Sequence, residues 1–355
     1  MKKKIAAIMM ATTMVLSLAA CGAAEEAAPA PAETETQTEE AAETEEVAET
    51  EEAAESDVPT IDGQYTIGIC QLVQHVALDA ATEGFMDAVK AQLGDAVTFD
   101  VQNAAGDSAT CATIANQFVA SNVDLILANA TAPLQAAAAA TNEIPILGTS
   151  ITDYGTALEI DNWTGATGTN ISGTCDLAPI DQQAALINEL FPDATNVGIV
   201  YCSAEPNSQY QAELMTKYLG EYGTYTVTEY TFADSNDIAS VVTNAVSACD
   251  VLYIPTDNTA ASNTEVINNI ALPAGVPIVA GEEGICAGCG VATLSISYYD
   301  LGYATGLMAT RVLYAGEDIS TMNVEYAPQV TKKYNKDNCE ALGITVPDDY
   351  VAIGE

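Results

Sequence analysis

From Val58 onward short apolar runs alternate with longer amphipathic ones, and no other feature constrains the fold as tightly. The short runs, rich in β-branched residues, are Tyr65–Cys70, Val97–Gln102, Val123–Ala128, Ile144–Gly148, Asn196–Cys202, Tyr225–Tyr230, Val251–Ile254 and Val276–Ala280. Helical spacing fills the intervals Ala77–Leu93, Ser108–Ser121, Ala132–Thr141, Pro179–Leu190, Asn207–Tyr222, Ser235–Ala248 and Thr259–Ile270. Near-continuous apolar strands joined through helices predict parallel sheets covered on both faces. Roughly 300 residues are long for one such sheet, so an α/β protein of two Rossmann-like lobes is expected. The Gly/Thr-rich stretch Thr164–Asn170 reads as a hinge, and the late helix Tyr299–Leu313 is expected to return to the first lobe. The lobes would then be 58–172 plus 297–321 and 173–296 plus 322–355, joined by a multi-strand hinge beside a cleft.

The chain upstream of Val58 has a different character. Lys2, Lys3 and Lys4 precede an apolar run, Ile5 to Leu18, which is short for a bilayer span and has the flanks of a cleavable signal, residues 1–20. Leu18-Ala19-Ala20-Cys21-Gly22 looks like a bacterial lipobox, which implies diacylation of Cys21 as the mature N-terminus. The alternative is an ordinary signal peptide with an incidental cysteine. Two acyl chains supply the anchoring that one cannot. Residues 22–57 carry 14 acidic side chains and no basic one, so 21–57 reads as a lipidated cysteine followed by an extended, solvated tether. The expected location is the outer face of the bacterial cytoplasmic membrane.

The folded part holds 36 acidic residues against 6 basic ones. Nucleic acid is excluded as a partner, because phosphate neutralisation needs a basic surface. The 49% hydrophobic content excludes a wholly disordered acidic chain.

Ligands of open parallel sheets bind beyond the carboxyl ends of the strands, where loops lead into helix N-termini. In the first half those positions hold Gln71, Gln74 and His75, then Asn129 and Thr131, then Thr149, Ser150 and Asp153. In the second half they hold Glu205, Asn207 and Ser208, then Asp257, Asn258 and Thr259, then Glu282 and Glu283. Ser, Asn and Asp at such places also serve as helix caps. Gln71, His75 and the Glu282-Glu283 pair are poor caps, which favours ligand contact for part of the set.

These residues also carry a resemblance. Ile67-Gly68-Ile69-Cys70-Gln71 through His75, Leu78-Asp79, Glu83-Gly84-Phe85, Thr131-Ala132-Pro133, Glu205-Pro206-Asn207-Ser208, Pro255-Thr256-Asp257-Asn258-Thr259 and Tyr299-Asp300-Leu301-Gly302 follow one another in order. Together they resemble the bacterial substrate-binding lipoproteins associated with aromatic amino acid import, from about Tyr65 to Pro347. The sequence departs from that pattern at Tyr154 and at Gly284–Gly290. The resemblance implies a type I periplasmic-binding-protein fold, two lobes closing on a small ligand, and delivery to an ABC permease and its ATPase, with no cofactor and a monomeric receptor.

Charge narrows the ligand independently. Lys90, Lys217 and Arg311 fall in predicted helices and Lys332, Lys333 and Lys336 near the C-terminus, so no cation is expected in the cleft. A phosphate or dicarboxylate would find no partner there. A zwitterion would find helix N-termini and hydroxyls for its carboxylate and Asp153, Asp257, Glu282 or Glu283 for its ammonium. An amino acid ranks first and a sugar or nucleoside second. Sugar sites stack rings on aromatics, and Trp163, the one tryptophan, falls near the hinge.

Eight cysteines remain besides Cys21. Cys70, Cys202 and Cys249 sit in or beside apolar strands and read as buried thiols. Cys286-Ala287-Gly288-Cys289 lacks the second ligand pair of a zinc site. One histidine and no GxSxG or P-loop motif leave catalysis unsupported, so an enzyme is the outlying alternative. A ligand sensor without a transporter is a nearer one.

Overall fold

The structure, a computed structural model, describes residues 63–327 and 329–354. The signal peptide, Cys21 and the tether lie outside the described residues.

Strands and helices alternate in chain order. The first half contains β1 (Tyr65–Gln71), α1 (Val76–Leu93), β2 (Val97–Asn103), α2 (Ser108–Ser121), β3 (Leu125–Asn129), α3 (Thr131–Ala140), β4 (Ile146–Ile151), α4 (Tyr154–Ala157) and β5 (Ile171–Cys175). The second contains α5 (Ile180–Leu190), β6 (Asn196–Cys202), α6 (Pro206–Tyr222), β7 (Thr226–Phe232), α7 (Ile238–Val246), β8 (Val251–Ile254), α8 (Asn258–Ala261), α9 (Thr264–Ala274), β9 (Ile278–Ala280), α10 (Glu283–Cys289) and β10 (Ala292–Ser295). Then come α11 (Tyr298–Leu313), β11 (Glu325–Tyr326), β12 (Thr331–Tyr334), α12 (Lys336–Leu342) and β13 (Val351–Ala352).

Two sheets result, ordered β11-β5-β4-β3-β1-β2 and β13-β12-β10-β9-β8-β6-β7. All pairings in the first are parallel, and in the second only β10 and β12 run antiparallel. The apolar runs explain this directly. Ile67, Ile69, Leu125 and Leu127 pack on one face of the first sheet with Phe85, while Ile126, Ile146 and Phe118 pack on the other. The second sheet is covered on both faces in the same way, around Val197, Ile199 and Met215 and around Val200, Leu252 and Ile278.

The chain passes between the sheets three times: after β5, between β10 and α11, and after β11. The crossings fall later than the sequence boundaries of 172 and 321. β5 belongs whole to the first sheet, and Glu325–Tyr326 pairs with Thr174–Cys175 in that same sheet. The hinge stretch precedes β5, whose alternation is hidden because Ser172 and Thr174 are buried through hydrogen bonds: Ser172 Oγ donates to Met322 O at 3.1 Å, and Thr174 Oγ1 lies 2.7 Å from Thr305 Oγ1. Helix α11 returns to the first half and lies on α1 at very short range. A Cβ at Gly302 would collide with the Ala81 carbonyl, and one at Gly84 with the Tyr299 carbonyl. Glycine is required for this approach, not for its φ.

Candidate functional site

In each sheet the strand order reverses beside the first strand of that half, at β1/β3 and at β6/β8. Such switch points leave a crevice at the strands' carboxyl ends. The two crevices face each other across a cavity of about 330 Å³. The first half contributes Leu72, Val73, Ala105, Ser108, Thr131 and Gln135, and the second Glu205, Asn207, Asp234, Ser235, Asn258 and Thr259. None of the lining side chains is basic and none is aromatic.

The first-half wall is formed by the start of α3. Its preceding residue, Ala130, has φ 101° and ψ 166°, a region that favours glycine, and no side chain caps the helix. The conformation is held by Ala130 N donating to Thr149 O (3.1 Å) while Ala130 O accepts from Leu134 N (3.2 Å). Backbone strain of this kind, about 1–3 kcal/mol, gathers at binding sites. The uncapped start of α3, Thr131 and Ala132, lines the cavity, and a helix N-terminus is a place that receives negative charge.

The opposite wall centres on Glu205. Its Oε1 accepts from Thr259 N (2.9 Å) and Thr259 Oγ1 (2.7 Å). Its Oε2 accepts from Asn258 N (3.0 Å), Asn258 Nδ2 (2.8 Å) and Asn207 Nδ2 (3.2 Å). One carboxylate thereby fixes α8 against α6 and carries negative charge at the cavity wall. Asp234 adds a second acid on the same side.

Of the residues marked from sequence, Thr131, Glu205, Asn207, Asn258 and Thr259 line the cavity together. His75 lines a separate, neighbouring cavity with Gln74, Ser262 and Thr264, and its Nε2 lies 3.2 Å from Asn258 Oδ1 of the other half. The others are turned inward. Gln71 Nε2 donates to Val73 O and Asp79 Oδ1, and Asn129 Nδ2 donates to Leu78 O and Thr82 Oγ1, so both tie α1 to the sheet. Thr149 pairs with Thr174, and the buried Ser150 hydroxyl, on a residue with φ 57°, has no partner among the described residues.

The remaining acids serve as caps or ion-pair partners. Asp153 accepts from Thr156 N at 2.7 Å. Asp257 accepts from Ala260 N and Cys202 N, both at 2.7 Å, while Ser208 Oγ accepts from Asn207 Nδ2 at 3.3 Å. Burial first, and the neighbouring Glu205 second, push Asp257 up to about 8. Glu282 caps α10 through Gly284 N and Ile285 N, and burial pushes it up to about 7. Glu283 pairs with Lys333 at 2.5 Å.

The lining residues Ser108, Gln135, Asp234 and Ser235 were not marked from sequence. Ser108 and the Asp234-Ser235 pair follow β2 and β7, whose carboxyl ends satisfy the same strand-end rule. Gln135 sits one turn into α3.

With this geometry in place the chain can be set beside known proteins. Residues 66–353 match the family described as ABC transporter substrate binding protein. The chain belongs to that family. Family membership places it among substrate-binding proteins rather than enzymes. A tyrosine-binding protein of Clostridioides difficile (strain R20291) is 35% identical over 282 residues, covering 79% of this chain and 81% of the relative. Among solved structures, the ABC domain in complex with L-Trp from Streptococcus pneumonia is 33% identical, with a TM-score of 0.76 over 81% of this chain and 97% of that one. The ligand-free, open structure of a substrate-binding protein with adhesive properties from Clostridium difficile is 35% identical, with a TM-score of 0.63 over 81% and 99%. These relatives give the two-sheet architecture its name, the type I periplasmic-binding-protein fold. At nearly equal identity, this chain superposes better on the tryptophan complex than on the open form. In this structure the two halves touch through His75 Nε2 and Asn258 Oδ1.

Proposed function

We propose that this substrate-binding protein is the extracytoplasmic receptor of an ABC importer and closes over an aromatic α-amino acid. The observation that carries the reading is the polarity of the 330 Å³ cavity, with an uncapped helix N-terminus on one wall and Glu205 and Asp234 on the other. A zwitterion satisfies both walls, its carboxylate at the start of α3 and its ammonium against the acids. The volume is near the lower end of the roughly 300–1,000 Å³ of small-molecule sites, which suits a single amino acid. Leu72, Val73, Ala105 and Pro206 supply apolar surface for a ring. The tyrosine-binding relative and the L-Trp complex support the aromatic class. A sugar is less well served, since no aromatic ring lines the cavity and Trp163 stacks on Tyr154 at 6.0 Å instead.

The lipobox reading of Cys21 makes the receptor a lipoprotein on the outer face of the membrane, acting as a monomer with a permease and an ATPase. Among the described residues no helix is long and apolar enough to cross a membrane. The proposed contact residues are Thr131, Glu205, Asn207, Asn258 and Thr259, with Asp234 added. Calorimetry against the twenty amino acids, a sugar panel and nucleosides tests this. Stoichiometric binding of tyrosine, tryptophan or phenylalanine is expected, and binding of a sugar with no amino acid response would overturn it.

A further inference from the structure

We infer that His75 is a positioning residue that links cleft closure to pH: the halves close on the neutral imidazole, and its protonation favours the open form. The inference rests on the amino-acid reading only through the ligand used to drive closure.

His75 immediately precedes α1 in the first half, and its Nε2 meets Asn258 Oδ1 of α8 in the second at 3.2 Å. The direction of that bond follows from its neighbour. Asn258 Nδ2 donates to Glu205 Oε2 at 2.8 Å, so Oδ1 is the edge turned to His75 and can only accept. Nε2 must therefore carry the hydrogen. Nδ1 is buried with no partner among the described residues. A proton there would create a buried cation with an unused N–H, which is disfavoured in a dry contact.

The charged groups facing the ring are Asp79 on the helix that follows it and Glu205, which immediately precedes α6. Asp79 already accepts from Gln71 Nε2, and Glu205 is engaged by Asn258 and Thr259. The α8–α9 and α10 surfaces beside the ring present Ala261, Ser262, Thr264, Gly284 and Ala287, none of them charged. Burial holds His75 below its ordinary value of 6.5, outweighing the bond to Asn258 and the two carboxylates, which favour the imidazolium. Opening the cleft returns the ring to water and to that ordinary value. The closed form thus binds fewer protons than the open one, and a ligand that selects the closed form binds less tightly as pH falls below 6.5.

His75 is the only histidine in the chain, so its imidazole C–H resonances in the proton NMR spectrum of the untagged protein need no assignment. The affinities of L-tyrosine and L-tryptophan are measured from pH 8 to pH 5 for the wild type, His75→Gln and His75→Ala. Glutamine offers an N–H donor at similar reach that does not titrate. The wild type is expected to lose between several-fold and about thirty-fold in affinity from pH 8 to 5, relative to the same ratio in His75→Gln. Dividing by that ratio removes contributions shared by both, such as those of Asp257 and Glu282. His75→Ala is expected to bind more weakly than His75→Gln at every pH. Saturating ligand is expected to lower the imidazole pKa of the wild type.

Equal slopes in the wild type and His75→Gln, or an imidazole pKa that ligand does not lower, would overturn the inference while leaving the amino-acid reading intact. If neither amino acid binds at pH 8, the amino-acid reading falls, and the latch is tested with whichever sugar or nucleoside of the panel binds: an imidazole pKa lowered by that ligand supports it, and one left unchanged refutes it.

Discussion

Glu205→Gln isolates the charge at the centre of the second-half wall with almost no change in shape. The wild-type carboxylate accepts five hydrogen bonds, from Thr259 N and Oγ1, Asn258 N and Nδ2, and Asn207 Nδ2. An amide replaces one accepting oxygen with a donor, so at least two of those groups lose an acceptor. The Thr259 hydroxyl can turn away, but a backbone N–H cannot. At about 1.5–3 kcal/mol per bond to a charged group, discounted for partial exposure, the loss is about 2–4 kcal/mol. That corresponds to a fall in Tm of roughly 4–12 °C for a domain of this size.

Binding is affected separately. An ammonium about 4 Å from the carboxylate gains roughly 4 kcal/mol at an effective dielectric of 20, before its desolvation is subtracted. A net loss of about 2 kcal/mol predicts a Kd for L-tyrosine roughly thirty-fold weaker, read by calorimetry. Asp250→Asn is the control, because Asp250 Oδ2 likewise accepts from Thr195 N and Asn196 N but lies outside the cavity lining. It is expected to lower Tm by a smaller amount without moving Kd. If Glu205→Gln melts early yet binds tyrosine as tightly as the wild type, Glu205 is only a support for α8 and the ammonium lies elsewhere, with Asp234 the next acid to test.

Three further predictions concern the fold. Asp257 and Glu282 have folded-state values near 8 and 7, above their ordinary 3.8 and 4.5, so the folded chain takes up protons first and stability should rise as pH falls from about 8 toward 5. His75 opposes this below 6.5 with one group against two. Thermal melts should therefore give a higher Tm at pH 5.5 than at pH 8, with a smaller difference in Glu282→Gln, and a lower Tm at pH 5.5 would refute the burial argument. Gly302→Ala drives a methyl group into the Ala81 carbonyl of α1 and is expected to destabilise by about 3 kcal/mol or more, seen as an early denaturant midpoint. All eight cysteines among the described residues are buried free thiols, so a thiol reagent should label essentially none of these eight in the native protein and all eight after unfolding.

The sequence was most legible where apolar character and periodicity coincide. Asn196–Cys202, Val251–Ile254 and Ser108–Ser121 have the same bounds in sequence and structure, because their buried faces are apolar. β5 was invisible as Ile-Ser-Gly-Thr-Cys: its burial is satisfied by hydroxyl pairs, which hydropathy reads as loop. Thr259–Ile270 read as one helix but forms α8 and α9, separated at Ser262 and Asn263. At the site, the strand-end rule locates loops but not the direction in which a side chain leaves them. Gln71 and Asn129 occupy switch-point positions, yet both turn toward α1 because Thr82, Leu78 and Asp79 offer partners there. Periodicity within one strand does not encode that choice, since the partners belong to helix α1.

The three passages between the sheets also bear on how the chain acquires its structure. The first sheet lacks its edge strand β11 and the covering helix α11 until residues 298–326 have been made, and the second lacks β12 and β13 until the chain is almost complete. Neither half can therefore finish folding as an independent N-terminal unit during synthesis. Contacts of such high sequence separation slow the search for the native state. If the first twenty residues act as the export signal they resemble, that delay would keep the polypeptide threadable until its last strand has been released.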